Sequence, residues 1–370
     1  MSSSPAYSPT LPGRLKENAY TFLFNTVASL GGIRKPLRPS AEYTHSPKTS
    51  DPLFNDSWYF NFFDTDNAVG GFTRIGRLPN QNSVNGILFI FNGKDEVLML
   101  NQGGALPPDA DALRAGTIRY EIVEPLKQLR LISSGKMLRL SDPSLMLDHA
   151  KLQRYITPDT FVPVEMDITF SGLAPVHNFK NIYFRGLARR MIEKRFGLTD
   201  LRRVRRVASS HYEQVGGYKG QLVIGDKTMT INGTGHRDHS WGLRDWTAPK
   251  GWTWLTMQFG RDIGLNLSRV VIGKIDMFNG YLIRDGQNYL YRTCDIDTEF
   301  ESDGITQKNI RFTVEDTSGF NMTVEGRVIN VVPLTHDDGQ HRIQVNEALT
   351  EYHWQDKVTY GISEYLHKIY

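Results

Sequence analysis

The stretch Gly233-Thr-Gly-His-Arg-Asp-His-Ser-Trp-Gly-Leu-Arg-Asp-Trp246 places more polar chemistry between two strand-like runs than any other window of the 370-residue chain. The flanking runs, 227–234 and 252–259, have the alternation and aromatic content of β-strands. Glycines within the stretch allow backbone conformations and close approaches that other residues resist. Ionisable side chains beside indoles are what a desolvated site with shifted pKa values requires. We therefore interpret the rest of the chain as the fold that holds this segment.

The sequence on both sides of this stretch is typical of an all-β protein. Short runs of alternating apolar and polar residues recur through 57–170 and 211–365, and turn residues separate them. Asn92-Gly93 is a hairpin signal, because a type I′ turn needs positive φ at both central positions. The strands do not alternate regularly with helices, so the pattern predicts antiparallel sheets. We expect two small β-barrels side by side, each closed so that no strand edge is exposed.

The predicted domains follow the changes in composition along the chain. Residues 1–50 are rich in Ser, Pro and Thr, and we expect a flexible tail with a short helix near 20–30. The first barrel is expected at 51–175. A basic, amphipathic helical linker is expected at 176–206, and the second barrel, carrying the quoted stretch, at 207–370.

The linker has two interpretations. Its apolar residues recur at helical spacing, with basic residues on the other faces: Phe184, Leu187, Ala188, Met191 and Ile192 against Arg185, Arg189, Arg190, Lys194 and Arg195. Four more arginines extend the basic run: Arg202, Arg203, Arg205 and Arg206. We favour a linker whose apolar stripe packs between the barrels while its arginines stay solvated. The alternative is peripheral contact with an anionic membrane, from which a lipophilic substrate is drawn.

The composition of the whole chain narrows the classes of function. A hydrophobic content of 39% is sufficient for packed cores, and a net charge of +3 gives no argument for nucleic-acid binding. The single cysteine, Cys294, excludes a disulfide framework and fits a reducing compartment. We find neither an apolar run long enough to span a membrane nor the features of a secretion signal at the start. A cytoplasmic protein is expected.

Several familiar chemistries lack support in the quoted stretch. His236, Asp238 and His239 have the residue types of a two-histidine, one-carboxylate metal site. In an extended segment, however, neighbouring side chains point to opposite faces, so His239 is expected to face away from the other two. A nucleophile elbow, a phosphate-binding loop and a dinucleotide fingerprint are all missing from the sequence. We expect no metal and no cofactor.

Acid–base chemistry in an apolar pocket remains. If Asp238 is buried beside Trp241 and Trp246, desolvation should raise its pKa and keep it protonated at neutral pH. A neutral carboxylic acid can protonate an alkene or a leaving hydroxyl, and indole faces stabilise a transient carbocation. His239 would then position or deprotonate a water molecule. The alternative is structural: ion pairs among Arg237, Asp238, Arg244 and Asp245 that close a barrel corner.

The pattern Gly-x-Gly-x-Arg-Asp-His-Ser-Trp-Gly-x-Arg-Asp-Trp resembles the signature of the lipocalin-like hydroxyneurosporene synthase superfamily, which includes the carotenoid 1,2-hydratases. Its Arg-Asp-His-Ser-Trp spelling and trailing Leu-Arg-Asp-Trp look closer to a bacterial branch of that superfamily than to the carotenoid enzymes. Further resemblances lie at 57–60, 74–76, 211–214, 346–352 and 360–365. The likeness is specific in the second half of the chain and diffuse in the first.

This resemblance implies two lipocalin-like β-barrels and addition of water to a C=C bond of a small lipophilic, terpenoid-like substrate without a redox cofactor. It assigns proton donation to Asp238 and carries the histidine and aromatic positions over to His239 and Trp241. We expect substrate contacts from Trp241, Trp246, Tyr212 and His236. The supporting residues are expected to be Arg237, Arg244, Asp245, Glu213 and Glu364, the two glutamates either pairing with the arginines, which we favour, or acting as acid–base partners. Two other functions stay open: an isomerase or pericyclase that templates a polyene, and a lipocalin-like protein that binds a hydrophobic ligand without turnover.

Overall fold

The computed structural model describes residues 10–109, 112–200, 210–337 and 339–369, and antiparallel strands dominate it. Three α-helices lie wholly within these residues: α1 (Leu11–Leu30), α2 (His149–Tyr155) and α3 (Phe184–Glu193). The strands before α3 are β1 (Phe54–Asp64), β2 (Val69–Leu78), β3 (Ser83–Asn92), β4 (Glu96–Ala105), β5 (Leu113–Ala115), β6 (Ile118–Glu124), β7 (Gln128–Leu140), β8 (Phe161–Gly172) and β9 (His177–Asn178). Those after it are β10 (Ser210–Ile224), β11 (Lys227–Leu243), β12 (Gly251–Phe259), β13 (Ile263–Ile272), β14 (Ile275–Arg284), β15 (Gln287–Phe300), β16 (Gln307–Asp316), β17 (Asn321–Asp337), β18 (Arg342–Trp354) and β19 (Lys357–Ile369).

The first sheet is built from both halves of the chain. Its strand order is β4-β3-β2-β1-β11-β10-β8-β7-β6-β5, and β9 pairs with β10. A short pairing of β4 with β7, over 97–99 and 138–140, joins the ends of the path from β4 to β7 and closes this sheet into the first barrel. Strands β12 to β19 form a second, closed barrel in sequence order. The predicted all-β class with two antiparallel barrels is therefore confirmed.

The boundary between the barrels differs from the predicted one. The expected second barrel began at 207, yet β10 and β11 belong to the first sheet, where β11 pairs with β1 from Phe54↔Leu243 to Phe63↔Thr234. The change of sheet thus falls between Leu243 and Gly251. The signature strand consequently lies on the first barrel and not on the second. Its C-terminal end leads directly into β12, so the signature adjoins both barrels.

Helices α1 and α3 pack together on the outside of the second barrel. Helix α1 is longer than the short helix expected near 20–30, and Thr10 caps it by accepting a hydrogen bond from the Gly13 amide. The apolar side of α3 packs against α1 and against the turn between β13 and β14, through Met191 and Ile275 among others. None of the described helices is long and apolar enough to cross a membrane. The second group of arginines in the predicted linker, 202–206, lies outside the described residues.

Side-chain alternation along the strands creates two barrel interiors and one interface. Trp58, Phe60 and Phe62 on β1 point into the first barrel, and Leu255 and Met257 on β12 point into the second. The intervening residues face the neighbouring barrel. There, Tyr59, Phe72, Trp254, Leu349 and Ile362 belong to a shared apolar cluster. The two barrels therefore pack through the outer faces of β1, β2 and β11 on one side and β12, β18 and β19 on the other.

Candidate active site

A cavity of about 570 Å³ lies between the barrels at one end of this interface. Residues from both barrels line it: Asn55, Ser57, Tyr59, Arg74, Asn85, His211, Asp238, Ser240 and Arg244 from the first barrel and its exit, and Trp246, Trp252, Trp254, Ser268, Val345, Glu347 and Glu364 from the second barrel and the segment before it. The wall is mainly apolar, with a few convergent ionisable groups. This composition is typical of a site for a lipophilic small molecule.

Strand register arranges the ionisable groups in two facing rows. In the first barrel, Arg74, Tyr59, Asp238 and Glu213 are consecutive cross-strand neighbours on β2, β1, β11 and β10. In the second barrel, Trp254, Glu364 and Glu347 form the corresponding row on β12, β19 and β18. Because cross-strand neighbours share a face of the sheet, each row presents its side chains to the other.

Two hydrogen bonds connect the rows. Tyr59 Oη donates to Glu347 Oε2 at 3.2 Å, and Trp254 Nε1 donates to Glu213 Oε1 at 3.0 Å. All four residues are buried. The relative position of the barrels at the cavity is thus fixed by polar contacts with defined geometry.

Glu347 and Glu364 form a buried carboxyl pair. Burial and the neighbouring charge of Glu364 raise the pKa of Glu347 well above its ordinary value, and burial also raises the pKa of Glu364. Glu347 donates a hydrogen bond to Glu364, which also accepts one from Trp252 Nε1. Two carboxylates in contact cannot both be ionised at low cost, so the pair retains a proton.

Asp238 lies on the cavity wall, but it is ionised and not neutral as predicted. Burial alone would raise its pKa, yet the charges of His211 and Arg244 outweigh burial and hold the pKa below its ordinary value. Its Oδ2 atom is 3.0 Å from His211 Nε2. A carboxylate paired in this way with a cation is a proton acceptor and not a proton donor.

His211 is the cationic partner of this pair. Burial favours its neutral form, but Asp238 and Glu213 raise the pKa of His211 to about 9. Its Nε2 atom lies 3.1 Å from Glu213 Oε1, and its ring stacks on Phe179 at 4.3 Å between centroids. Burial raises the pKa of Glu213 itself. His211 is therefore protonated at neutral pH and fixes the carboxylate of Asp238.

Arg237, His239 and Trp241 of the Arg-Asp-His-Ser-Trp segment point to the opposite face of β11, whereas Ser240 lines the cavity with Asp238. Arg237 is fully buried and donates two hydrogen bonds to the carboxylate of Glu42, at 2.8 and 2.9 Å. His239 Nε2 lies 2.9 Å from Asp56 Oδ1, and its ring stacks on Trp58. The predicted catalytic role of His239 at the Asp238 cavity is therefore wrong, because alternation along β11 sends the two side chains to opposite faces.

Three predicted substrate contacts also lie elsewhere. Tyr212 donates a hydrogen bond to Glu42 Oε1 at 2.7 Å inside the first barrel. Trp241 stacks on His45 at 3.9 Å between centroids, away from the residues that line the cavity. His236 is on the same face as Asp238 but is fully buried beneath the cavity, where burial lowers its pKa to about 3. Only Trp246 of the predicted substrate-binding set lines the cavity.

Some of the predicted supporting residues also lie at the cavity, and others lie elsewhere. Arg244 and Glu364 line the cavity, while Glu213 borders it through Trp254. Arg237 belongs to the buried ion pair with Glu42. Asp245 accepts hydrogen bonds from the amide and hydroxyl of Thr247, at 3.2 and 2.8 Å, and so stabilises the turn before β12. The expected ion pairs among the four signature residues are therefore not formed by Arg237 and Asp245, whose partners are Glu42 and Thr247, whereas Asp238 and Arg244 belong to the cavity.

The ionisable residues of this site that were not predicted include Tyr59, Arg74, His211 and Glu347. A local signal existed for Glu347, because Val345 and Leu349 occupy the same face of its strand. A carboxyl group on an apolar strand face is expected to be buried and to need a partner. Ile362 and Leu366 flank Glu364 in the same way, two residues before and after it.

The metal set considered from the sequence does not assemble, because His239 faces away from His236 and Asp238. Two other groups have ligand atoms within 4.8 Å of one another: His45 with Asp56 and His239, and His211 with Glu213 and Asp238. In both groups the close atoms already form histidine–carboxylate contacts, at 2.9 Å for His239–Asp56 and 3.0 Å for His211–Asp238. Histidine–carboxylate pairing is thus sufficient to explain why these residue types lie together in the two groups.

Comparisons with known proteins agree with the fold. The model of a family described as "Domain of unknown function (DUF7064)" matches residues 38–369. No curated protein matches the sequence. Among solved structures, CghA with Sch210972 is similar, with a TM-score of 0.54 and 11% identity over 90% of this chain and 94% of that one.

Two further structures show the same likeness. An AttH-like protein (NE1406) from Nitrosomonas europaea has a TM-score of 0.54 and 10% identity over 90% of this chain and 97% of its own. Kievitone hydratase from Nectria haematococca has a TM-score of 0.53 and 11% identity over 91% and 93%. The chain thus shares its fold with these three proteins. At these identities the likeness concerns the fold alone.

Proposed function

The chain belongs to the DUF7064 family, and we propose that it is a cofactor-independent hydro-lyase. The proposed reaction adds water to, or removes it from, a C=C bond of a lipophilic, terpenoid-like substrate held between the two barrels. One observation carries the proposal. A proton-retaining carboxyl pair, Glu347 and Glu364, shares an indole-lined cavity with the ionised carboxylate of Asp238.

The carboxyl pair supplies the acid. Glu347 keeps its proton because its site is buried and the neighbouring Glu364 disfavours a second negative charge. Once the proton is transferred to an alkene carbon, the new carboxylate is stabilised by the Tyr59 hydroxyl, which already donates to it. The carbocation left on the substrate lies beside the rings of Trp246, Trp252 and Trp254, whose quadrupoles attract positive charge.

Asp238 supplies the base. Water adds to the cationic carbon and gives one proton to the Asp238 carboxylate, which His211 holds in position. That proton then returns to the glutamate pair through solvent, so the net change is alkene plus water to alcohol. The reverse sequence removes water. Asp238 keeps a catalytic role in this proposal, but as proton acceptor instead of the donor expected from the sequence.

The likeness to kievitone hydratase supports a hydro-lyase on the same fold. The wall of the cavity supports a lipophilic substrate: Trp246, Trp252, Trp254, Ile343 and Val345 form much of it. Four of the ionisable groups on the wall form two pairs, Glu347 with Glu364 and Asp238 with His211. A small apolar substrate therefore leaves neither pair without the partner that stabilises its charge state.

The experiment that tests the proposal starts from the ligand that the protein retains. Mass spectrometry of extracts from the purified full chain should find a lipophilic alkene or alcohol. If it is an alkene, incubation in H₂¹⁸O should give an alcohol that contains ¹⁸O, and incubation in deuterium oxide should place one deuterium on carbon. If it is an alcohol, the product should be lighter by one water molecule. Turnover that neither adds nor removes water indicates the alternative isomerase or pericyclase, and retention of the ligand without turnover indicates a binding protein.

Peripheral membrane contact by α3 stays a separate proposal. Arg185 and Arg189 already contact the buried Glu17, at 2.9 and 3.5 Å, and Arg190 lies over the ring of Phe278. These contacts reduce the charge that α3 can offer to a lipid surface. Sedimentation with vesicles containing phosphatidylserine at low salt tests the contact, and protein that stays in the supernatant eliminates it.

A further inference from the structure

Beneath the cavity, buried polar groups that lack protein partners continue between the barrels. Both ring nitrogens of His236, both side-chain polar atoms of Asn266 and Gln258, and the hydroxyl of Tyr281 form no hydrogen bond with any described residue. These four residues are at most 2% exposed. We call them the polar column.

The members of the polar column are adjacent in space. The rings of His236 and Tyr281 are 6.1 Å apart between centroids, and Tyr281 is the cross-strand neighbour of Asn266. On the other side of Asn266 lies Thr256, whose hydroxyl accepts a hydrogen bond from Asn61 Nδ2 at 3.3 Å. Asn61 neighbours His236 on the first barrel and accepts a hydrogen bond from its amide. Asn266 and His236 therefore face each other across the interface.

The upper end of the polar column opens to the cavity. Asp238 and Ser268, both on the cavity wall, lie two residues along their strands from His236 and Asn266 and share their faces. The Ser268 hydroxyl is also buried without a hydrogen-bond partner among the described residues. The chain of unpaired polar groups is thus continuous with the site of the proposed reaction.

The lower end approaches the surface. Gln258 lies two residues beyond Thr256 on β12, and its side chain packs over Gly264, two residues before Asn266. The strand then reaches the turn 260–262, where Arg261 is exposed and its guanidinium packs against Gly217 of the first barrel. The polar column therefore runs from the cavity to a solvent-exposed turn at the barrel interface.

Folded proteins rarely bury polar groups without partners, and buried water molecules satisfy those that other residues do not. Each of these side chains can donate a hydrogen bond to water and also accept one, because primary amides, hydroxyls and neutral imidazoles have both functions. His236 remains neutral across the physiological range, since burial lowers its pKa to about 3. The side chains of the polar column are therefore suited to hold a line of hydrogen-bonded water molecules and not to form an apolar contact.

We propose that the polar column binds a file of ordered water molecules that connects the cavity with solvent at the turn 260–262. A lipophilic substrate that fills the cavity displaces bulk water from its mouth, yet hydration consumes one water molecule in every turnover. The file supplies that water from behind the substrate and carries protons back to the glutamate pair. This catalytic use of the file rests on the proposed function, whereas the file itself does not.

Oxygen-17 magnetic relaxation dispersion on the ligand-free full chain tests the file, because it counts water molecules held longer than the tumbling time. Asn266→Leu and Gln258→Leu should each remove at least one long-lived water relative to wild type. Gln344→Leu is the matched control, since this buried amide donates to Asn346 outside the polar column. It should leave the water count of the column unchanged.

A crystal structure of the wild-type chain provides the second readout. Ordered waters within hydrogen-bonding distance of His236 and Asn266 are expected, and they should be lost in Asn266→Leu. A wild-type chain with no water in the column, or an Asn266→Leu variant that keeps the wild-type count of long-lived waters, overturns the proposal. Thermal unfolding of each variant checks that the counts come from folded protein.

The two proposals fail in different ways. If the water file exists but turnover of the retained compound neither adds nor removes water, the hydro-lyase proposal is wrong and the file stands. If labelled product forms in a chain without long-lived waters, the reverse holds. When both are right, Asn266→Leu should lower kcat while KM stays unchanged, because the substrate does not contact Asn266.

Discussion

Glu347 and Glu364 are direct cross-strand partners on β18 and β19, and Glu347 donates a hydrogen bond to Glu364 within the cavity between the barrels. Like charges directly opposite each other destabilise a sheet, so the pair is stable only while it holds a proton. Tyr59 from the first barrel and Trp252 from the second donate to its outer oxygens. The fold therefore maintains an acid at a point where both barrels meet.

Substitution of Glu347 by glutamine tests the acid directly. The amide still donates to Glu364 and accepts from Tyr59, but it has no transferable acidic proton. Turnover should fall about 100- to 10,000-fold, which is the usual contribution of a positioned general acid. The measurement is kcat with the retained substrate, together with Tm to show that the variant is folded.

Asp245→Asn is the matched control for this substitution. Asp245 is a carboxylate of the signature, but it accepts hydrogen bonds from Thr247 in a turn and does not line the cavity. An amide oxygen accepts the same hydrogen bonds, so activity should stay within about twofold of wild type, corresponding to a change in barrier below the thermal energy. If Glu347→Gln were as active as Asp245→Asn, the glutamate pair would not be the acid.

Substitution of Asp238 by asparagine should change the titration of His211. The carboxylate raises the pKa of His211 to about 9 against the effect of burial, and a neutral amide cannot do so. The pKa of His211 should therefore fall, with Glu213 as its remaining acidic partner. Nuclear magnetic resonance titration of the imidazole measures this shift, and turnover should be lost at the same time because the base is gone.

Ser240→Ala serves as the control for that titration. Ser240 lines the cavity two residues from Asp238, and its hydroxyl lies 3.2 Å from that of Ser57. Its removal leaves the pair of Asp238 and His211 intact. An unchanged pKa in Ser240→Ala and a lower one in Asp238→Asn are expected, whereas equal values in wild type and Asp238→Asn would contradict the ion pair.

The strands were predictable because alternation is a local property of the chain. The hairpin expected at Asn92-Gly93 joins β3 and β4, and Gly93 adopts a φ of +72°. Its loop is 93–95, however, because Asn92 is the last residue of β3 and pairs with Glu96, so the expected two-residue type I′ turn is not formed. Which strand lies beside β11 was not predictable from local pattern. β1 precedes it by more than a hundred residues, and the sequence between them contains most of the first barrel. The predicted boundary at 207 failed for this reason.

Alternation along β11 also predicted that the signature side chains lie on two opposite faces of the strand. It did not show which face borders a cavity. His239 was expected to point away from Asp238, and it does. Both faces of β11 are buried, however, so burial gave no preference. The ionised state of Asp238 depends on His211, which lies on another strand and reaches Asp238 only through the register of β10 with β11. A pKa that depends on such a neighbour cannot be predicted from one segment.

His211 also predicts how stability depends on pH. Its pKa in the folded protein, about 9, is above the ordinary value of 6.5, so the native state binds its proton more tightly than the unfolded state. The resulting stabilisation is complete below about pH 6.5 and is lost as the pH rises through about 9. A shift of this size corresponds to ~3 kcal/mol. Urea unfolding at the two ends of this range should show that loss.

His211→Gln isolates this contribution from that of the glutamate pair, whose raised pKa values act in the same direction. The variant should lose less stability than wild type between the two pH values, by ~3 kcal/mol. An identical pH dependence in both proteins would show that His211 is not protonated in the native state.

The ion pair between Glu42 and Arg237 should act on stability alone. Both residues are fully buried in the first barrel, away from the cavity wall, and Gln214 and Tyr212 complete their hydrogen bonds. Glu42→Gln leaves a buried guanidinium without its counter-charge, which should cost about 3–5 kcal/mol of the free energy of unfolding. Arg237→Met leaves the buried carboxylate without its counter-charge and should cost a similar amount.

The double variant should be less destabilised than the sum of the two single variants, because it contains neither unpaired charge. Urea unfolding of the four proteins gives this cycle, and additive losses would contradict the pairing. Each variant that remains folded should still turn over the substrate, since neither side chain reaches the cavity where Asp238 and Glu347 lie.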